Sequence, residues 1–155
     1  MILVIAVGQK QPAWVEAVFN DYATRFPPDH RISLKEVKAE PRTTGKSVDS
    51  MKAAESERIT AAIPKDAICV ALDERGQDMT TQAFSDWLTR LKEDSRHIVF
   101  IIGGPDGLDE GLKRRCTKMI RLSSMTLPHG MARVLLAEQL YRAWSLANNH
   151  PYHRA

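Results

Sequence analysis

Only two cysteines, Cys69 and Cys116, occur in 155 residues. They fit neither a disulfide framework nor a zinc site, so a reducing cytoplasm is the expected setting. No apolar run approaches the roughly 20 residues needed to span a bilayer. The opening "MILVIAVG" lacks a basic n-region and reads as a first strand, not a signal peptide. No internal repeat, low-complexity segment or second-domain linker is present, so residues 1–155 read as one domain. A chain this long can bury roughly 70% of its unfolded surface. Neither sign of charge dominates: 22 basic and 19 acidic residues leave +3, a mild hint of anionic partners. The 43% apolar and 26% charged fractions exclude a disordered chain.

What is present alternates between strand and helix. "ILVIAV" (2–7), "AICVAL" (67–72) and "HIVFII" (97–102) are continuous β-rich runs, as expected of a parallel sheet buried on both faces. "RISLKEV" (31–37) and "MIRL" (119–122) read as weaker strands. Pro12 is expected at the first position of a helix with Trp14, Val15, Val18, Phe19, Tyr22 and Phe26 on one stripe. Residues 48–63 form a polar helix ended by Pro64. Thr80 or Thr81 caps a helix carrying Phe84, Trp87, Leu88 and Leu91, and a short basic helix covers about 109–118. The class is α/β. The loop at 39–47, "AEPRTTGKS", is the expected mobile segment.

Ligands of open parallel sheets bind beyond the carboxyl ends of strands. Three such ends carry unusual loops: "LDERG" (72–76), "GGPDGL" (103–108) and "SSMTLPHG" (123–130). Gly103 and Gly104 would let a ligand approach the backbone closely. Each loop alone is compatible with plain turn chemistry. The glycines match neither G-x-G-x-x-G nor a P-loop, so phosphate cradling has little support.

The expected last helix, 131–148, is apolar almost all round, through Met131, Val134, Leu135, Leu136, Leu140, Tyr141, Trp144 and Leu146. Such a helix is buried on more than one side, which suggests the sheet and a second subunit. Glu138, Arg142 and Ser145 form its narrow polar stripe, and Glu138 and Arg142 fit either a plain i,i+4 pair or a site role. The tail "NNHPYHRA" gathers His150, Tyr152, His153 and Arg154. No carboxylate or cysteine accompanies these histidines at ligand spacing, so no metal is expected. Aromatic, imidazole and guanidinium groups together suit stacking on a base and gripping phosphate. The cluster "KRRCTKMIR" (113–121) fits either a charged helix C-terminus or a phosphate-contacting face.

With "LDERG", "GGPDG", "SSMTLPHGMARVLLAEQLYRAW" and "NHPYHR" in this order, essentially the whole chain resembles the ribosomal RNA large-subunit methyltransferase H family, SPOUT-class enzymes acting on pseudouridine. The match is weakest between about 39 and 64, where Ser56 follows Glu55 at a place the family commonly gives to glycine. The resemblance implies a SPOUT-type α/β fold: a mainly parallel sheet covered by helices, with a deep C-terminal trefoil knot. It also implies a homodimer that methylates N3 of a pseudouridine in large-subunit (23S) ribosomal RNA, within a ribosomal particle, using S-adenosylmethionine. Its cofactor site maps onto Leu72, Gly103 with Gly104, and the loop Leu122, Ser123, Ser124, Met125, Thr126 and Leu127.

A pseudouridine N3–H is a poor nucleophile until its proton leaves, so a base or anion-stabilising group is required. His153 is the first candidate, since an unperturbed histidine titrates near neutral pH. Glu138 is the second, with its pairing to Arg142 counting against it. Arg142 would stabilise the developing anion, and Tyr152, Arg154 and His129 would contact RNA, from either chain of a dimer. No metal or second cofactor is implied. Three other readings remain: a non-catalytic ribosome- or RNA-binding module, a SPOUT methyltransferase with another RNA target, and a nucleotide-binding α/β protein of unrelated chemistry.

Overall fold

The computed structural model describes residues 1–43, 45–94 and 97–153. Five strands, β1 (Ile2–Val7), β2 (Ile32–Val37), β3 (Ile68–Gln77), β4 (Ile98–Ile102) and β5 (Lys118–Ile120), alternate with five helices. These are α1 (Ala13–Arg25), α2 (Val48–Ala62), α3 (Thr81–Glu93), α4 (Glu110–Arg115) and α5 (His129–Ala147). The strands form one sheet in the order β2-β1-β4-β3-β5, and every pairing is parallel.

Side chains alternate across each strand, and the two faces collect different partners. Val4, Ala6, Ile98, Phe100 and Ile102 pack with Phe19 of α1, Phe84 and Trp87 of α3, and Leu136 and Leu140 of α5. Ile5, Val7, Val99 and Ile101 pack with Ile59 of α2 and Leu112 of α4. Burial on both faces is why β1 and β4 read as unbroken apolar runs, and all five β4 residues are buried.

Pro12 sits one position further out than expected, just before the first turn of α1. Pro128 holds the same place before α5, which begins at His129, two residues earlier than the expected 131. Thr80 caps α3, accepting the Ala83 N–H at 3.1 Å. The expected apolar stripe of α1 holds at Val15, Phe19 and Phe26, but Trp14 is 50% exposed. In the loop expected to be mobile, three described residues are tethered: Glu40 accepts Lys46 and Arg58, and Arg42 bonds Glu55 and Asp106. Short side chains in a polar run signalled flexibility, while the ion pairs that pin it span up to 64 positions in sequence and leave no local signature.

Strand β3 runs past its expected end at Leu72. Leu72 and Gln77 both face Ile120, so residues 73–76 bulge out of the ladder. Gly76 closes that bulge against β5, where a Cβ would lie 2.4 Å from the Ile120 carbonyl carbon. Backbone cannot yield as a flexible side chain does. Gly76→Ala should therefore destabilise the protein by about 1–3 kcal/mol or more, measurable as a lower urea midpoint, whereas a neutral effect would mean that β3 and β5 separate freely.

Candidate functional site

A cleft of about 530 Å³ opens at the carboxyl ends of β3, β4 and β5, within the size range of small-molecule sites. Its walls include Leu72, Gly103 and Gly104, and also Leu122, Ser123, Met125, Thr126 and Leu127. Of the positions expected to hold a cofactor, only Ser124 lies off the wall. The loop after β5 is stiffened locally, since the Ser123 hydroxyl accepts the Met125 N–H at 2.9 Å.

The glycines are also required by the fold of the loop itself. A Cβ on Gly103 would lie 2.8 Å from the Gly107 carbonyl carbon and 3.0 Å from Leu108 Cγ. Gly103 is thus needed to let its own loop fold back, closed by Gly107 N–H to the Gly104 carbonyl at 3.0 Å. A Cβ on Gly104 would sit 3.0 Å from Val7 Cγ1 and 3.2 Å from Glu55 Oε1.

Three braces hold this loop and its neighbours. From α2, Glu55 is only 2% exposed; it accepts the Glu40 N–H at 2.9 Å and Arg42 Nη1 at 2.6 Å. Arg42 continues through Nε to Asp106 at 3.1 Å, joining segment 40–42 to the tip of the glycine loop. On the opposite wall, Lys113 of α4 pairs with Asp73 at 2.9 Å and Glu110 at 3.0 Å. Burial opposes the Asp73 charge, but the Lys113 ammonium and the Arg75 N–H outweigh it and hold the carboxyl below its usual range.

The third brace was not foreseen. Arg133, on the second turn of α5, is 1% exposed. Its Nε donates to His129 Nε2 at 2.8 Å, Nη1 donates to Glu36 of β2, and Nη2 donates to the Gly8 carbonyl at 2.8 Å. His129 Nδ1 lies 2.9 Å from the Gly103 carbonyl oxygen. Burial first, then the Arg133 charge, push this imidazole below the usual histidine range. His129, expected at an RNA surface, lines the cleft with both ring nitrogens bonded within the chain. Arginine beside apolar residues on a helix reads as polar-face or snorkelling sequence; only its tertiary partners show otherwise.

The remaining candidates gather elsewhere, on α5 and the tail. Glu138 accepts Arg142 Nε at 2.8 Å, Gln139 Nε2 at 2.8 Å and the Tyr152 hydroxyl at 3.0 Å. Arg142 also lies over the Tyr152 ring, 4.9 Å from its centroid. Burial, and then bonds to Tyr22 and Glu138, push the Tyr152 phenol far above its usual range, so it stays neutral. The tail is docked and not frayed: Tyr152 packs edge-on to Tyr141 at 4.8 Å, and His150 N–H reaches the Ser145 carbonyl at 2.9 Å. Among the described residues, His153 Nδ1 is buried with no hydrogen-bond partner. Arg154 lies outside the described residues. Neither Glu138, Arg142, Tyr152 nor His153 lines the cleft.

The first brace makes two predictions. Arg42→Met strips the buried Glu55 of its counter-charge and should cost about 1–3 kcal/mol by urea denaturation. Glu55→Gln added to it should recover part of the loss; strictly additive losses would show the pair to be uncoupled. The Glu40 carboxyl, bonded by Lys46 and Arg58, is held down to about 2. Because its folded value is depressed, the tether is fully present above the ordinary carboxylate range and is lost only as pH falls through about 2. A carboxyl-detected titration giving Glu40 an ordinary glutamate midpoint would contradict these bonds.

Comparison with known proteins bears on the whole chain. Residues 1–153 match the family described as "Predicted SPOUT methyltransferase". The chain is 59% identical over 154 residues to the ribosomal RNA large subunit methyltransferase H of Bordetella petrii, covering 99% of each. It is 55% identical to that of Burkholderia multivorans, again over 99% of each. In fold it resembles a "probable methylase family protein" from Haemophilus influenzae Rd KW20 (TM-score 0.59, 14% identity, 99% of this chain and 70% of that one). It also resembles a "Probable Methyltransferase" from Bordetella pertussis Tohama I (TM-score 0.59, 16% identity, 92% and 95%). A five-stranded parallel sheet with its cleft at the strand ends, matched end to end by these relatives, belongs to the SPOUT methyltransferase family.

Proposed function

We propose that this protein methylates N3 of a pseudouridine in large-subunit (23S) ribosomal RNA, drawing the methyl group from S-adenosylmethionine bound in the cleft. The observation that carries the reading is full-length identity of 55–59% to ribosomal RNA large subunit methyltransferase H relatives, joined to a cleft of nucleoside size at the expected loops. The residues present fit the cofactor. Leu72, Ile102, Leu122 and Leu127 offer apolar wall, and the glycines leave backbone bare where a Cβ would crowd the loop. Asp73 and Asp106 also line the cleft, each already paired with a cation, Lys113 and Arg42.

S-adenosylmethionine supplies an already activated methyl group. The protein's task is alignment, which can contribute roughly 7–11 kcal/mol, and removal of the N3 proton. His153 takes that proton in this reading, supported by its buried and unpartnered Nδ1. Glu138 holds Arg142 and the Tyr152 hydroxyl in place, so Arg142 faces the developing anion in a fixed orientation. Tyr152, Arg154 and His129 remain the proposed RNA-side residues. His129 acts there through the loop it holds, because both its ring nitrogens are bonded within the chain.

The assembly is a homodimer in which one chain's tail completes its partner's cleft. Support comes from α5, where Met131, Val134 and Leu135 are only half-buried in the single chain. Of the two residues of that helix expected near a dimer interface, Leu140 or Trp144, Leu140 is 1% exposed within its own core. The trefoil knot belongs to the same reading. Its support is the match of residues 1–153 to the SPOUT methyltransferase family. Half-buried, unbridged Cys69 and Cys116 suit the cytoplasm. Among the described residues, no helix is long and apolar enough to cross a membrane.

Methyl transfer should appear on ribosomal particles carrying pseudouridine at the target and vanish when uridine replaces it; equal transfer to both would overturn the substrate assignment. His153→Ala should lower turnover about 100-fold with partial recovery at higher pH, and loss without recovery would move the proton to another acceptor. Deleting residues 150–155 is a poor test, because Tyr152 belongs to the aromatic core and its removal would cost stability as well. Leu135→Glu should yield monomers by sedimentation that bind cofactor less well or not at all; an unchanged dimer would place the interface off α5.

A further inference from the structure

We propose that His129 and Arg133 are positioning residues for the cofactor loop, fixing the Gly103 carbonyl through one permitted tautomer of the imidazole. Guanidinium nitrogens only donate and a carbonyl oxygen only accepts. With Arg133 Nε 2.8 Å from Nε2 and the Gly103 oxygen 2.9 Å from Nδ1, a single arrangement satisfies both contacts. The proton must sit on Nδ1, and Nε2 must be bare. A protonated ring would set two donors face to face, and the opposite tautomer would do so while leaving two acceptors facing each other at Gly103.

Arg133 cannot turn to accommodate another arrangement, because its two terminal nitrogens are held by Glu36 at the end of β2 and the Gly8 carbonyl just past β1. The chain Glu36–Arg133–His129–Gly103 therefore carries the positions of two neighbouring strand ends to the residue immediately after β4. Fixing the Gly103 oxygen also fixes the plane of the 103–104 peptide and with it the direction of the Gly104 N–H. Both glycines line the cleft. The proposal rests on the reading of that cleft as the cofactor site, and it assigns the proline-histidine start of α5 to holding that loop.

The test uses the full-length protein with labelled histidine. Ring-nitrogen spectra without ligand should show His129 protonated at Nδ1 only; an Nε2–H tautomer or a charged ring near neutral pH overturns the proposal. Calorimetry with S-adenosylmethionine then compares His129→Asn, whose amide can donate near the Nδ1 position, with His129→Gln, whose amide reaches the Nε2 position instead. Gln should weaken binding about tenfold or more, and Asn should restore most of it. Gln binding like the unaltered protein, or Asn failing as badly as Gln while both remain folded, overturns the role. Should either variant fail to fold, the spectrum of the unaltered protein decides. If the unaltered protein binds no cofactor, the cleft assignment falls, and the cofactor-positioning role falls with it, whereas a wrong tautomer in a protein that does bind cofactor overturns the positioning role alone.

Discussion

A guanidinium buried to 1% exposure is the constraint around which the rest of the site arranges itself. Taking such a charge out of water costs several kcal/mol unless its donors are met. Arg133 meets this cost with Glu36, Gly8 and His129. Those partners come from β2, from just past β1 and from the first turn of α5, so the charge is satisfied only when all three are in register. A displaced strand end would leave a buried donor unpaired. This one side chain thereby penalises any slippage between the sheet and α5, at the end of the sheet where the ligand cleft opens. The rigid Leu-Pro-His start of a long buried helix follows from the same demand: Pro128 sets the entry angle, and His129 must arrive where both its nitrogens are used.

The cleft's other charges are also largely occupied with one another. Asp73 is met by Lys113, Asp106 by Arg42, and Glu55 by Arg42. Glu55 and Asp73 are largely buried and need their counter-charges, whereas the more exposed Arg42–Asp106 pair contributes little to stability by itself. The pairs tie down segment 40–42, the bulge at 73–76 and the tip of the glycine loop. Their effect is geometric. They fix three loops relative to a rigid sheet, so the cleft is already shaped before a ligand arrives.

Elements with strong local signals were legible in the sequence. Continuous β-branched runs gave β1, β3 and β4, because burial on both faces removes polar residues from a strand. Cap chemistry and an apolar stripe placed a helix start at Thr80 or Thr81, and Thr80 is the cap. The cleft walls followed from the rule that loops at parallel strand ends face ligands, and Leu72, Gly103 and Leu127 lie there. What escaped had no local signature. Glu55 and Arg42 look like ordinary members of a polar helix and a polar loop, and Arg133 like one cation among apolar residues. Trp14 looked like core by periodicity, yet the stripe was wider than the surface available to cover it. At Gly103 the sequence offered close ligand approach as the reason for glycine; the structure adds a second reason, since a Cβ would crowd Gly107 of its own loop.

The separation of the two clusters sets the logic of the proposed chemistry. Glu138, Arg142, Tyr152 and His153 lie off the cleft wall, on α5 and the tail that follows it. For one chain to use both, residues 150–153 would have to leave their places and surrender the Tyr152 packing against Tyr141 and Tyr22. Each such aromatic contact is worth on the order of 1 kcal/mol, and the hydroxyl would also lose Glu138. Bringing in the cleft of a second chain breaks none of these contacts. It would also cover the half-buried apolar residues of α5 and offer His153 a partner outside its own chain. In the proposed dimer, the packing that holds residues 150–152 on their own chain is what keeps them ready for the partner's cleft.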